Sequence, residues 1–346
     1  MRIAILGAGA WGTALALGLA ERHAVLLWGR SAVAIEEMAT LRENRHYLPG
    51  FPLPPSLQCS ADLAAAIDHL QTPVPAAGGV CEPGLLIVAT PVAGLRPLCL
   101  QLQALRDGGR KLPNIVSLCK GFEQGSSLLP HDVAQAVLGS QIPFGVLSGP
   151  SFAQEVARGL PCALAMASTS SSLCEQVVTA VHSQALRIYS TDDVVGVEVG
   201  GAVKNIMAIA TGIIDGMGFG ANARAALITR GLAEITRLGV ALGGRSETFM
   251  GLAGVGDLLL TCTGDLSRNR QVGLGLAQGK PLAAIVAELG HVAEGVRCAA
   301  VVRALAQTYG IDMPISAAVA GVLFDGDAAN AVVTRLLSRD PRNEVL

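Results

Sequence analysis

Apolar residues fall into short runs in the first half of the chain and into helical stripes in the second. Residues 1–6 form a short apolar run, and 13–17 begin a helical one. Further strand-like runs stand at 23–28, 85–89, 115–118 and 144–147. Two more, at 163–167 and 187–189, read as late additions to the same sheet. Helical stretches separate most of them, and that alternation spells βαβ units and a parallel sheet. From about Thr191 the strand signals stop and helical periodicity continues, with breaks at 279–281 and Gly310. Two stretches interrupt the rhythm. Residues 48–56 are proline-rich and read as a loop, and 69–84, rich in Pro and Gly, read as a surface insertion.

The first strand runs straight into Gly7-Ala8-Gly9-Ala10-Trp11-Gly12. Strand, glycine loop and helix in that order are the context in which GxGxxG signals a dinucleotide site. Gly7 allows the tight turn, Gly9 lets the backbone approach a pyrophosphate, and Gly12 lets helix and strand pack closely. The first helical amides then face the phosphates, where the helix dipole favours negative charge. The predicted fold is α/β: a Rossmann-type doubly wound sheet over 1–190, followed by an all-helical domain over 191–346.

Composition narrows the partners. The chain has 346 residues, a formal net charge of −2 and no long basic run, so nucleic acid is not expected. Residues 194–214 are the longest apolar run, yet Glu198, Lys204 and Asn205 interrupt it. A charge at mid-bilayer costs roughly 2.5–3.5 kcal/mol, so a buried helix is expected and no membrane insertion. The opening residues form a strand directly, with no signal-peptide pattern. The eight cysteines show no metal spacing and read as small core residues in a reducing cytoplasm. No metal site is expected.

In NAD enzymes an acid near the end of the second strand takes the ribose hydroxyl. Here that strand ends Trp28-Gly29-Arg30, and Arg30 instead suits a 2′-phosphate or is a solvated surface arginine. NADP is the expected cofactor, with NAD also possible.

A second constellation lies in the helical half. Lys204, in Gly200-Gly201-Ala202-Val203-Lys204-Asn205, sits in a helix with hardly any other charge. It either has a buried partner or reaches the surface from a helix end. Asp257 and Thr261 are four apart and share a helix face. Ser267-Arg268-Asn269-Arg270 suits an oxyanion or phosphate clamp, or a surface ion-pair pattern.

Several segments together resemble the bacterial NAD(P)-dependent glycerol-3-phosphate dehydrogenase family. They are GAGAWGTALA, CKGFEQGS, SGPSFAQEVARGLP, GGAVKNIMAIATGIIDG with GFGANARAALITRGLAE, and LAGVGDLLLTCTGDLSRNR. The similarity covers nearly the whole chain in order. It implies hydride transfer between sn-glycerol 3-phosphate and dihydroxyacetone phosphate, with the product feeding phospholipid synthesis. Lys204 then matches the catalytic lysine, and Lys120, Asp257 and Asn205 match residues around the reacting carbon. Gly149 and Ser151 fall where the family touches substrate. Ser267, Arg268 and Asn269 match its phosphate-binding turn. Cofactor contacts are implied at Ala10, Trp11, Arg30, Lys120, Ala153, Arg268, Val292 and Glu294. A cytoplasmic homodimer is the family expectation. Cys119 stands where a threonine is common, and 68–84 is longer than usual. Related two-domain β-hydroxyacid or ketopantoate-type dehydrogenases, or a non-catalytic dinucleotide sensor, are the alternatives.

Overall fold

Ile3, Ala4, Ile5 and Leu6 are fully buried in strand β1 (Arg2–Leu6), and all four residues of β4 (Leu85–Val88) are buried too. Continuous apolar strands of this kind belong to a sheet covered on both faces. A computed structural model describes residues 1–71, 84–290 and 293–338. Between β1 and β4 lie α1 (Ala10–Leu19), β2 (Ala24–Trp28), α2 (Ala32–Leu41), β3 (Gln58–Ser60) and α3 (Leu63–Gln71). After β4 come α4 (Leu95–Asp107), β5 (Asn114–Ser117), α5 (Pro130–Leu138) and β6 (Phe144–Ser148). The sheet is completed by α6 (Ala153–Ala157), β7 (Cys162–Ala167), α7 (Ser171–Val181) and β8 (Leu186–Thr191).

The described strands order as β3-β2-β1-β4-β5-β6-β7-β8. The first six follow the dinucleotide-binding order, which reverses between β1 and β4. β1 pairs parallel with both neighbours, Ile3 facing Val25 on one side and Leu85 on the other. The expected uniformly parallel sheet needs one correction: β7 runs antiparallel to β6, with Val146 opposite Ala167. The reason is the connection. The five residues of α6 span about 7.5 Å, against about 17 Å for a five-residue strand, so the chain turns back instead of crossing over. The eleven-residue α7 is long enough, and β8 is again parallel to β7. β3 was not expected, since three residues make no readable apolar run. The expected insertion also starts later. His69 belongs to α3, buried, with its ring Nε2 3.0 Å from the Ala24 carbonyl. Residues 72–83 lie outside the described residues.

Contacts divide the chain into two units, Met1–Cys119 with Pro130–Val194, and Lys120–Leu129 with Val195–Leu346. The sequence does not announce that ten residues from the middle of the sheet sequence belong with the second unit. That unit is helical: α8 (Val194–Gly216), α9 (Gly220–Ala241), α10 (Ser246–Phe249), a wide π-type turn (Leu252–Gly256) and α11 (Asp257–Thr263). Then follow α12 (Arg268–Ala277), α13 (Leu282–Leu289), α14 (Glu294–Tyr309), α15 (Pro314–Ala320) and α16 (Ala329–Leu337). α8 is long and apolar enough to cross a membrane, but its apolar window is wholly buried inside the structure. It is the core helix of its unit, with Val199, Ala202, Val203, Ile206 and Ile209 fully enclosed.

Candidate active site

In the first unit the glycine loop follows β1, beside the point where strand order reverses. Gly7 has φ +132°, and a Cβ there would stand 2.6 Å from the Ala89 backbone. A Cβ on Gly12 would stand 2.1 Å from the Gly7 carbonyl oxygen. Only glycine fits either position. Gly9, by contrast, has nothing within 4 Å of where its Cβ would be. It caps α1 without a side-chain partner, and the first turn of α1 carries no acid. That leaves a bare backbone cradle with free helical amides, which suits a pyrophosphate. Asn44 fixes the cradle from behind. Its buried amide donates to the Ala8 carbonyl at 2.9 Å and to Thr13 Oγ1 at 2.8 Å.

Other predicted positions gather in the same unit. Trp11 Nε1 donates to the Ser151 carbonyl at 2.9 Å and lies 3.1 Å from Ser151 Oγ, which donates to the Gly149 carbonyl at 3.1 Å. Gly149 has φ +145°, and a Cβ there would press on Ala163 and Leu164. Ala153 opens α6. Arg30 is exposed just beyond β2, ahead of Ser31, whose hydroxyl accepts from the Ala34 amide and caps α2. Val292 lies outside the described residues.

In the second unit Lys204 does not reach the surface. Its side chain is 7% exposed, and its ammonium donates to Asp257 Oδ1 and, at 2.9 Å, to Thr261 Oγ1. Asp257 Oδ2 accepts from Lys120 Nζ at 2.7 Å. Thr261 Oγ1 in turn donates to the Asp257 carbonyl at 2.6 Å. The backbone explains the meeting. A Cβ on Gly200 would fall 2.4 Å from the Ala253 oxygen, so the π-type turn lies directly against α8. α11 then starts at Asp257, and the i, i+4 spacing turns Thr261 to the same side.

Two ammonium groups thus share one buried carboxylate. Burial pushes the Lys204 ammonium well below the usual lysine value, to about 7. Asp257 opposes that fall and Lys120 adds to it. An unpaired charge here would be strongly disfavoured, so the pair stands or falls together.

Asn205, next to Lys204, accepts through Oδ1 from Asn269 Nδ2 at 2.9 Å. Asn269 Oδ1 accepts from the Gly295 amide at 3.0 Å. Ser267 is buried and caps α12, accepting from the Arg270 amide at 3.3 Å, while Arg268 is exposed in the first turn. The ion-pair reading of this tetrad falls to Arg270, which binds Asp215 and Asp265. Glu294 begins α14, its carboxyl pushed up to about 7 by burial against the pull of Arg268, Lys120, Arg297 and Lys204. Lys120, Lys204, Asn205, Asp257, Arg268, Asn269 and Glu294 therefore form one charged neighbourhood.

Two members escaped sequence reasoning. Nothing in the sequence marks Asn44 or the Gly295 amide. Thr261 was legible only as a face-mate of Asp257.

A dinucleotide-type sheet, a backbone cradle and a buried lysine–carboxylate set define a two-unit NAD(P)-dependent dehydrogenase. The family described as NAD-dependent glycerol-3-phosphate dehydrogenase matches by its N-terminal part over residues 2–174 and by its C-terminal part over 193–334. The chain belongs to that family. It is 68% identical over 344 residues to the glycerol-3-phosphate dehydrogenase (NAD(P)+) of Paucimonas lemoignei, covering 99% of this chain and 98% of the relative. The Herminiimonas arsenicoxydans enzyme of the same name is 67% identical, with both chains covered completely. Among solved structures, the glycerol-3-phosphate dehydrogenase of Coxiella burnetii is similar with a TM-score of 0.90 and 40% identity, over 98% of this chain and 99% of that one.

Proposed function

We propose that the protein interconverts sn-glycerol 3-phosphate and dihydroxyacetone phosphate with NAD(P), mainly making glycerol 3-phosphate for phospholipid synthesis. It works as a cytoplasmic homodimer. The observation that carries the reading is the buried Lys204 ammonium held by Asp257, with Lys120 on the opposite carboxylate oxygen.

Gly7, Gly9, Ala10, Trp11 and Gly12 would hold the cofactor, and Arg30, Lys120, Ala153, Arg268, Val292 and Glu294 are the further contacts that the family resemblance implies. When bound, a reduced nicotinamide would supply the hydride. Lys204 gives its proton to the ketone oxygen as negative charge grows there, and takes it back from the alcohol in the reverse direction. A lysine tuned to about 7 does both near neutrality. Asp257 holds the ammonium in place, and Lys120 adds positive field for the developing oxyanion. Asn205 orients the substrate, with Gly149 and Ser151 as further contacts. Ser267, Arg268 and Asn269 grip the phosphate at the opening of α12. That remote grip fixes the carbonyl relative to Lys204.

The test is loss of reduced-nicotinamide absorbance with dihydroxyacetone phosphate, against a control with unphosphorylated dihydroxyacetone. Fast turnover of the phosphate ester alone is expected. Equal rates, or a preference for a β-ketoacid or ketopantoate, would move the chain to the rival class. Parallel titration with NADPH and NADH tests Arg30; a clear NADH preference contradicts its role at a 2′-phosphate.

A further inference from the structure

Arg270 is the one member of the Ser267–Arg270 tetrad to which the proposed function gives no part, and it is the one most firmly tied down. Its Nε and Nη2 both reach Asp215 Oδ2, at 2.9 and 2.8 Å. Its Nη1 reaches Asp265 Oδ1 at 3.0 Å, in the loop just before the Ser267 cap. Asp215 lies near the end of α8 with its side chain 5% exposed, and its other oxygen accepts from Arg224 Nε of α9 at 2.7 Å. Arg270 therefore joins three pieces: its own helix, the far end of α8, and the loop entering α12.

A separate set of contacts shows what that join controls. A Cβ on Gly212 would stand 2.1 Å from the Arg270 carbonyl oxygen. One on Gly273 would stand 2.1 Å from the Ile209 oxygen, and one on Gly216 would stand 2.6 Å from Ala277 Cβ. With the Asn205–Asn269 hydrogen bond, these contacts climb both helices in the same direction. α8 and α12 thus lie backbone to backbone, and the Asn205–Asn269 hydrogen bond ties one end of that seam. The contacts of Arg270 on Asp215 tie it further along. α8 carries Lys204 and Asn205, while the first turn of α12 carries Arg268 and Asn269. The register of the seam is the distance from proton donor to phosphate grip.

We infer that Arg270 and Asp215 are positioning residues that set the phosphate end of the substrate against Lys204. The inference rests on the proposed phosphate grip. A guanidinium is needed because its planar fork fixes direction as well as charge, which a lysine does not.

The experiment compares wild type, Arg270→Lys, Asp215→Asn and Arg224→Gln. Arg224→Gln serves as the control: it loosens the same carboxylate without touching α12. For Arg270→Lys and Asp215→Asn, kcat/KM for dihydroxyacetone phosphate should fall about tenfold, as small misplacements of a reacting centre do. The cofactor KM and the slow rate with unphosphorylated dihydroxyacetone should stay as in wild type, and Arg224→Gln should leave all three unchanged. A general folding defect would lower every rate together, and that result overturns the inference. So does an unchanged kcat/KM in Arg270→Lys, or an equal loss in Arg224→Gln. Absence of wild-type turnover with dihydroxyacetone phosphate would instead remove the functional reading beneath it.

Discussion

Lys120 Nζ lies 2.7 Å from Asp257 Oδ2, although the two residues are 137 positions apart. The other carboxylate oxygen is taken by Lys204. Asp257 is thus the group that keeps Lys204 charged against burial and against its cationic neighbour. Reduction of the ketone consumes the ammonium form, so its rate should fall as pH rises through the Lys204 value near 7. Oxidation of the alcohol should rise over the same range. Asp257→Asn withdraws the support, so the alkaline limb of the reduction profile should move to lower pH. Lys120→Ala removes a like charge and should move it to higher pH. Rate profiles of the three proteins at saturating substrate check this; limbs that coincide would contradict the assignment.

Gly12→Ala places a methyl 2.1 Å from the Gly7 carbonyl oxygen, and neither group is a flexible side chain. The loop must shift, and its amides with it. Cofactor affinity should weaken at least about tenfold, roughly 1.4 kcal/mol, while circular dichroism stays native. Fluorescence titration with NADPH measures it, and unaltered affinity would remove the loop from cofactor binding.

Arg268→Ala should raise KM for dihydroxyacetone phosphate by a much larger factor than it slows the unphosphorylated ketone at saturating cofactor. Initial rates over a substrate series decide the matter. An unchanged KM would mean that Arg268 does not hold the phosphate.

Glu234 tests how the helical unit is held. It is 1% exposed and accepts from the Ile315 amide at 2.6 Å and from the Ser316 amide and hydroxyl at 3.0 and 2.9 Å. Burial outweighs those donors and pushes its carboxyl up to about 7 from an ordinary 4.5. Between these two values the folded state binds more protons than the unfolded chain, so stability falls as pH rises through the window. Wild type should lose up to ~3 kcal/mol across it relative to Glu234→Gln. Urea unfolding of both proteins at the two ends of the window measures the difference, and parallel pH dependences would contradict the shift.

What the sequence disclosed follows from how local each constraint is. The glycine loop was legible because its demands, at Gly7 and Gly12, are met by atoms within a few residues or on the next strand. The continuous apolar runs of β1 and β4 gave the buried sheet for the same reason. The direction of β7 was not legible, because it depends on the length of α6, which no apolar pattern sets. Spacing put Asp257 and Thr261 on one face. What meets that face is decided by the close approach of Ala253 to Gly200 and by the return of Lys120 to the helical unit, both of them long-range. Asn44 lies in a stretch without periodicity, and only the folded loop reveals that its amide holds Ala8. Lys204 stood out as a lone charge in an apolar helix, whereas Lys120 was named through family resemblance; their common carboxylate is a property of the packed helices.

The central claim is that Lys204 carries the proton. Lys204→Ala removes the ammonium and leaves the glycine cradle untouched, so single-turnover reduction of dihydroxyacetone phosphate on enzyme preloaded with NADPH isolates the step. A loss on the order of 10²–10⁴ in rate with unchanged cofactor binding is the predicted result. Turnover close to wild type in that variant would show that another group delivers the proton.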